Sequence, residues 1–172
     1  GLASNGVGDV GFTDERSKLL RNISNLDIRI SLHSIDAQTH DSIVGYKGAF
    51  DRALISIKNL VKYGVRCTWS CLPLKNNKNT IFEMVLYAKS LGMSGFHMLS
   101  PHPTEQFGPS HDLWLTQDEK MEMIEKLKEV DESSDFFDVT FSNWYCRLEN
   151  AKKPSDMCGA IDEIIEIDEV GD

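Results

Sequence analysis

The sequence predicts an α/β fold built on a parallel sheet, and three observations carry that expectation. The run Leu26 to His33 (LDIRISLH) alternates apolar with polar residues, which is the period of a strand with two unlike faces. Strand starts recur near residues 28, 65 and 95, a spacing of roughly 30 to 37 residues, the length of a βα unit. Between them lie segments whose apolar residues step by three and four.

In chain order, Ser4-Asn5-Gly6 reads as the end of a first strand. In the second, Ile28, Ile30 and Leu32 face helices, and Ser31 and His33 come to the carboxyl end, where α/β folds place ligands. Gly48-Ala49 opens a helix with Phe50, Leu54, Ile57 and Val61 on one stripe, and Gly64 stops it. Val65 to Leu72 is the next strand, with Cys67, Trp69 and Cys71 on the face that packs against helices. Thr80 and Glu83 read as a capping box for a helix that runs to Leu91 and stops at Gly92. Gly95 to Ser100 follows as a short strand, and a proline-rich loop leads to a second capping box at Thr116 and Glu119. Met121, Ile124, Leu127 and Val130 form the apolar stripe of that last helix.

Composition narrows the class. At 172 residues, 41% apolar and 26% charged, the chain has ordinary globular usage and length for one core. A net charge of −9 and a pI near 5.0 argue against nucleic acid or an anionic membrane as partner. Asp162, Glu163, Glu166, Asp168, Glu169 and Asp172 concentrate the acidity at the end. No hydrophobic run reaches the roughly 20 residues of a membrane span, and no secretory h-region is present, so a cytoplasmic setting is expected. Four cysteines in that setting give no reason to draw disulfides. The chain opens on the tail of a strand, without methionine, and closes on an isoleucine-rich strand from 164 onward. Four or five βα units make about half of an eight-stranded barrel, so an N-terminal portion is expected to precede Gly1.

Taken together, Ser4-Asn5-Gly6, Ile30-Ser31-Leu32-His33-Ser34, His40-Asp41, Gly45-Tyr46-Lys47-Gly48-Ala49-Phe50, Asn76 to Asn79 and Leu91-Gly92 resemble, in order and spacing, the second half of a radical S-adenosylmethionine (radical SAM) enzyme core. The resemblance covers roughly residues 1 to 130. The tail is similar to the opening of a SPASM or twitch extension: Cys158-Gly159-Ala160, an isoleucine-rich strand, then Gly171 after twelve intervening residues. The expected fold is therefore a partial parallel (β/α) barrel of the radical SAM type, about half of a TIM-like barrel, over residues 1–145. The start of a C-terminal extension is expected over 146–172.

The resemblance implies an oxidoreductase chemistry. Three cysteines spaced C-x-x-x-C-x-x-C hold a 4Fe-4S cluster, whose open iron chelates S-adenosylmethionine. Reductive cleavage of that cofactor gives a 5′-deoxyadenosyl radical that abstracts a substrate hydrogen. A flavodoxin or ferredoxin is the implied electron donor. The SPASM-like tail implies an auxiliary iron–sulfur cluster and a peptide or protein substrate. The cluster motif is missing from this sequence, so these residues alone are expected to be inactive. Cys67 and Cys71 have the first interval of the motif, but Leu74 stands where the third cysteine belongs; both are expected in the core, and Cys146 is expected to be structural.

By the same resemblance Ser31 is a cofactor contact, Asn5 a strand-end contact, Leu99 a cover for the adenine and Cys158 a metal ligand. Each has a structural alternative: Ser31 bonded to backbone, Asn5 as a turn former, Leu99 and Cys158 as core. The arginine that family members often carry shortly after the His-Asp is replaced by Ser42-Ile43-Val44. Two other readings remain. His33, His97, His102 and His111 at strand ends suit a barrel-type metal-dependent hydrolase, although no H-x-H pair is present. A non-catalytic binding module on a degenerate barrel is the other.

Overall fold

The computed structural model describes residues 1–7, 11–99, 113–132 and 137–141. Five parallel strands run in the sheet order β1-β2-β3-β4-β5: β1 (Leu2–Ser4), β2 (Asp27–Ser31), β3 (Arg66–Cys71), β4 (Gly95–Met98) and β5 (Asp138–Phe141). Each new strand joins the edge left by the one before. That order winds like a barrel and has no reversal of the doubly wound kind.

Register sorts the side chains onto two faces. Ile28 pairs with Cys67 and Ile30 with Trp69; Trp69 pairs with Phe96 and Cys71 with Met98. All seven are fully buried, and this is the face that packs on helices. Trp69 stacks on Phe96 with ring centroids 5.9 Å apart and donates from Nε1 to the Leu32 carbonyl at 2.8 Å, which gives its one polar atom a partner inside the core. Phe50, Ala53, Ile57 and Leu60 of α3 (Ala49–Lys62) and Met84, Val85 and Ala88 of α4 (Ile81–Ser90) complete that core. Asp27, Arg29 and Ser31 alternate with Ile28 and Ile30, so they stand on the opposite, inner face.

The strands at Leu26–His33 and Val65–Leu72, the helix after Gly48 and the stop at Gly92 fall as the sequence predicts, within a residue or two. Gly48 and Gly92 adopt φ of 81° and 79°, left-handed values that favour glycine. Three expectations are corrected. Thr80 makes no capping box: a 3-10 turn over Lys78–Thr80 precedes α4, and the Thr80 hydroxyl bonds the Asn77 carbonyl at 3.0 Å. In α5 (Gln117–Glu132) Met121 is 38% exposed and Met123 takes its place beside Ile124, Leu127 and Val130. The strand from Gly95 ends at Met98. The box at Thr116 is present, with Thr116 N–H donating to Glu119 Oε2 at 2.8 Å and Glu119 N–H to Thr116 Oγ1 at 3.2 Å. Two short helices, α1 (Asp14–Leu20) and α2 (Ala37–Val44), and strand β5 are additional to the elements that the sequence predicts.

Candidate functional site at the strand ends

The carboxyl ends of the strands are tied together by buried polar groups. Asn77 is buried in the loop after β3. Its amide donates to the carbonyls of His33 at 2.8 Å and Leu72 at 3.0 Å and accepts from Leu74 N–H at 2.7 Å, clamping the β2 and β3 ends together. His33 Nδ1 accepts from Leu72 N–H at 3.2 Å, and His40 Nδ1 from His33 N–H at 3.0 Å. Both rings accept at Nδ1, so the neutral form carries its proton on Nε2. Burial, with His40 nearby, pushes His33 down from 6.5 to about 4. Burial lowers His40 too, against the opposing pull of Asp41.

The neighbouring motif residues are also structural. The Asp41 carboxylate accepts from the N–H groups of Phe50 and Gly48 at the start of α3, and these bonds hold it below the usual carboxylate range. Gly6, at φ +68°, lies against α3, where an added Cβ would sit 3.2 Å from Ala53 Cα. Its carbonyl accepts from Ser56 Oγ at 2.9 Å.

The inner face in front of these ties carries a polar row. Ser31 pairs with Ser70, Ser70 with His97 and His97 with Thr140. Ser70 and His97 are buried, and His97 Nδ1 and Thr140 Oγ1 are hydrogen bonded at 2.7 Å. Burial, helped by the positive charge of Arg29, lowers His97 from 6.5 to about 4, so the ring is neutral at pH 7. Ser31 is half-buried on this row, and its hydroxyl has no hydrogen-bond partner among the described residues.

Asn5 follows β1 at the same end and is exposed, its Oδ1 accepting from Val7 N–H at 3.0 Å. This is the turn-forming bond of the structural alternative, and it leaves the amide nitrogen outside that turn. Leu99 follows Met98, half-buried, with its N–H donating to the Cys71 carbonyl at 2.8 Å. Three of the predicted residues thus gather at one end of the sheet. Cys158, Cys146, His102, His111 and the 146–172 extension lie outside the described residues.

An iron–sulfur cluster does not fit the described cysteines. Cys67 and Cys71 point into the helix-facing core; burial pushes Cys67 up to about 12 and raises Cys71 as well, whereas a ligand must be a thiolate. Among the described residues no three His, Cys, Asp or Glu stand together as a metal site, which also leaves the hydrolase reading without a ligand set there. The polar row with the unpartnered Ser31 hydroxyl does suit the polar end of S-adenosylmethionine. Sequence reasoning missed Ser70 and Thr140, because only the register places them in line with Ser31.

Five parallel strands in barrel order, with helices on one face and polar strand ends on the other, form a partial parallel (β/α) barrel. The chain superposes on SuiB of Streptococcus suis with a TM-score of 0.66 at 13% identity, covering 98% of this chain and 37% of SuiB. SuiB bound to S-adenosylmethionine gives 0.66 at 13% identity over 87% of this chain and 35% of that one. Native anSMEcpe with bound AdoMet and the Cp18Cys peptide gives 0.59 at 14% identity, covering 77% and 36%. SuiB is known bound to S-adenosylmethionine and to its precursor peptide SuiA, and anSMEcpe with AdoMet and a peptide; at this identity the likeness shows the fold. The chain spans a little over a third of the length of SuiB. No family model and no curated protein matches the sequence.

Proposed function

We propose that these residues are the C-terminal part of a radical SAM core that binds S-adenosylmethionine across its strand ends and acts on a peptide or protein. The observation that carries the reading is the unpartnered Ser31 hydroxyl on a polar inner face of a barrel whose structural neighbours hold S-adenosylmethionine and peptide. Cleaved reductively, that cofactor supplies a hydrogen-abstracting carbon radical. Ser31 donates a hydrogen bond to the cofactor's carboxylate or ribose, the Asn5 amide reaches its aminoacyl end, and Leu99 covers the adenine. His97, neutral and fixed by Thr140, keeps a second positive charge away from the cofactor's sulfonium. The thiolates of the catalytic 4Fe-4S cluster are not among these 172 residues, and Cys158 is assigned to an auxiliary iron–sulfur cluster of a SPASM-like extension over 146–172. A cytoplasmic setting and an electron donor such as flavodoxin or ferredoxin belong to the same proposal.

The test is calorimetric titration of S-adenosylmethionine onto the chain and onto Ser31→Ala. Loss of one hydrogen bond to a charged group weakens binding about tenfold. Equal affinity would return Ser31 to a structural role.

A further inference from the structure

We propose that Ser70 contacts an uncharged amide of the peptide substrate, one strand over from the cofactor contact at Ser31. Ser70 lies on the inner face of β3, between Ser31 on β2 and His97 on β4 in the same row. It is 4% exposed, and although its carbonyl accepts from Leu32 N–H at 2.9 Å, its hydroxyl makes no hydrogen bond with a described residue. A buried hydroxyl ordinarily finds a partner. Ser17 on α1 is the contrast: its oxygen is sealed from solvent without a partner, whereas the Ser70 oxygen is not sealed and keeps access to the inner space.

The row around Ser70 carries no charge. Ser31 and Thr140 are hydroxyls, and His97, hydrogen bonded to Thr140 at 2.7 Å, is neutral at pH 7. The charged residues of this face, Asp27, Arg29 and Asp138, belong to lower rows. Asp27 and Arg29 stand two residues apart and pull His97 in opposite directions, so they offset one another there. An ion set against Ser70 loses water and gains no counter-charge, whereas an uncharged amide exchanges its hydration for a hydroxyl that both donates and accepts.

Position assigns that amide to the substrate. Ser31 and Ser70 are register partners, so they stand one strand spacing apart, about 5 Å. A carbon radical made from the cofactor reacts only with a C–H bond held beside it, and the side chain next to the cofactor contact in the row is placed to hold the group that carries such a bond. This step rests on the cofactor reading above. A hydroxyl at a buried position, where alanine would leave no polar atom to satisfy, breaks the local rule for a core and is expected at a binding position.

Four probes test the site: S-adenosylmethionine and the blocked tripeptides Gly-Gln-Gly, Gly-Ala-Gly and Gly-Glu-Gly. Each is titrated onto the isotopically labelled chain, Ser70→Ala and Ser70→Thr, with affinities read from amide shifts and thermal unfolding run on every variant. Ser70→Ala is expected to fold with a midpoint no lower than that of the parent chain, to bind Gly-Gln-Gly about fivefold more weakly, and to recover part of that loss as Ser70→Thr. A loss confined to Gly-Gln-Gly assigns a side-chain amide, and one shared with Gly-Ala-Gly assigns a backbone amide. Unchanged tripeptide affinity in Ser70→Ala overturns the site, as does binding of no tripeptide, tightest binding of Gly-Glu-Gly, or a lowered midpoint that marks a structural serine. A larger loss for S-adenosylmethionine than for the tripeptides gives Ser70 to the cofactor and overturns the site too. If S-adenosylmethionine does not bind while the tripeptides still depend on Ser70, the site survives without the cofactor reading. If S-adenosylmethionine binds through Ser31 while the tripeptides ignore Ser70, the cofactor reading survives without the site.

Discussion

Asn77 ties the strand ends together, although the sequence marks it only as part of the Asn76 to Asn79 run and gives it no role of its own. It is 1% exposed and joins the β2 end to the loop after β3 through three bonds to backbone groups. Asn77→Ala leaves those groups buried without partners and costs about 3 kcal/mol; urea unfolding checks this, and a loss below about 1 kcal/mol would contradict the clamp. Histidines set the pH dependence. The unfolded chain binds protons at an ordinary 6.5, whereas His33 and His97 resist until about 4. Their contribution is therefore complete above pH 6.5 and is lost as pH falls from there to about 4. Glu119, held near 2 from 4.5 by Lys78 first and then the Thr116 N–H, loses its contribution lower, between 4.5 and about 2. Urea midpoints measured across pH 7 to 4 fall in the first window, and His97→Gln, which cannot titrate, flattens that slope. An unchanged slope in the variant would show that His97 titrates normally.

Elements were legible where one residue decides a boundary. Gly48, Gly64 and Gly92 mark helix limits because their backbone is left-handed, and the alternation at Ile28, Ile30 and Leu32 fixes which face is core. The misses have physical causes. Thr80 satisfied the capping-box pattern, but a 3-10 turn before α4 diverts its hydroxyl to Asn77, and sequence alone does not distinguish that turn from a first α-helical turn. Strand β5 carries only four residues, DVTF, too few for a periodicity to register. The inner-face row was illegible for a different reason: Ser31, Ser70, His97 and Thr140 become neighbours only once four strands are in register. His40 and Asp41 carry no assigned role in the sequence, and the structure gives both of them backbone groups to hold. Asp41 caps α3 by accepting from Gly48 and Phe50, so Asp41→Ala costs about 1 to 2 kcal/mol, the range for a lost cap. Thermal unfolding checks it, and wild-type stability in Asp41→Asn would show that the charge contributes nothing.

At the scale of the whole molecule, the helices cover one face of the sheet and leave the other lined by hydroxyls, Arg29 and a neutral imidazole. A parallel sheet is ordinarily covered on both faces, so the polar one faces a barrel interior and whatever that interior holds. Under the proposed function this interior holds S-adenosylmethionine at the strand ends. The most direct measurement is amide chemical-shift mapping of the isotopically labelled chain titrated with S-adenosylmethionine. The expected shifts concentrate at Asn5-Gly6, Ser31 to His33, Ser70 to Leu72 and Leu99, with the exposed faces of α3 and α4 silent. Saturating cofactor that leaves those strand-end amides unmoved, or moves only helix-face amides, would contradict that function.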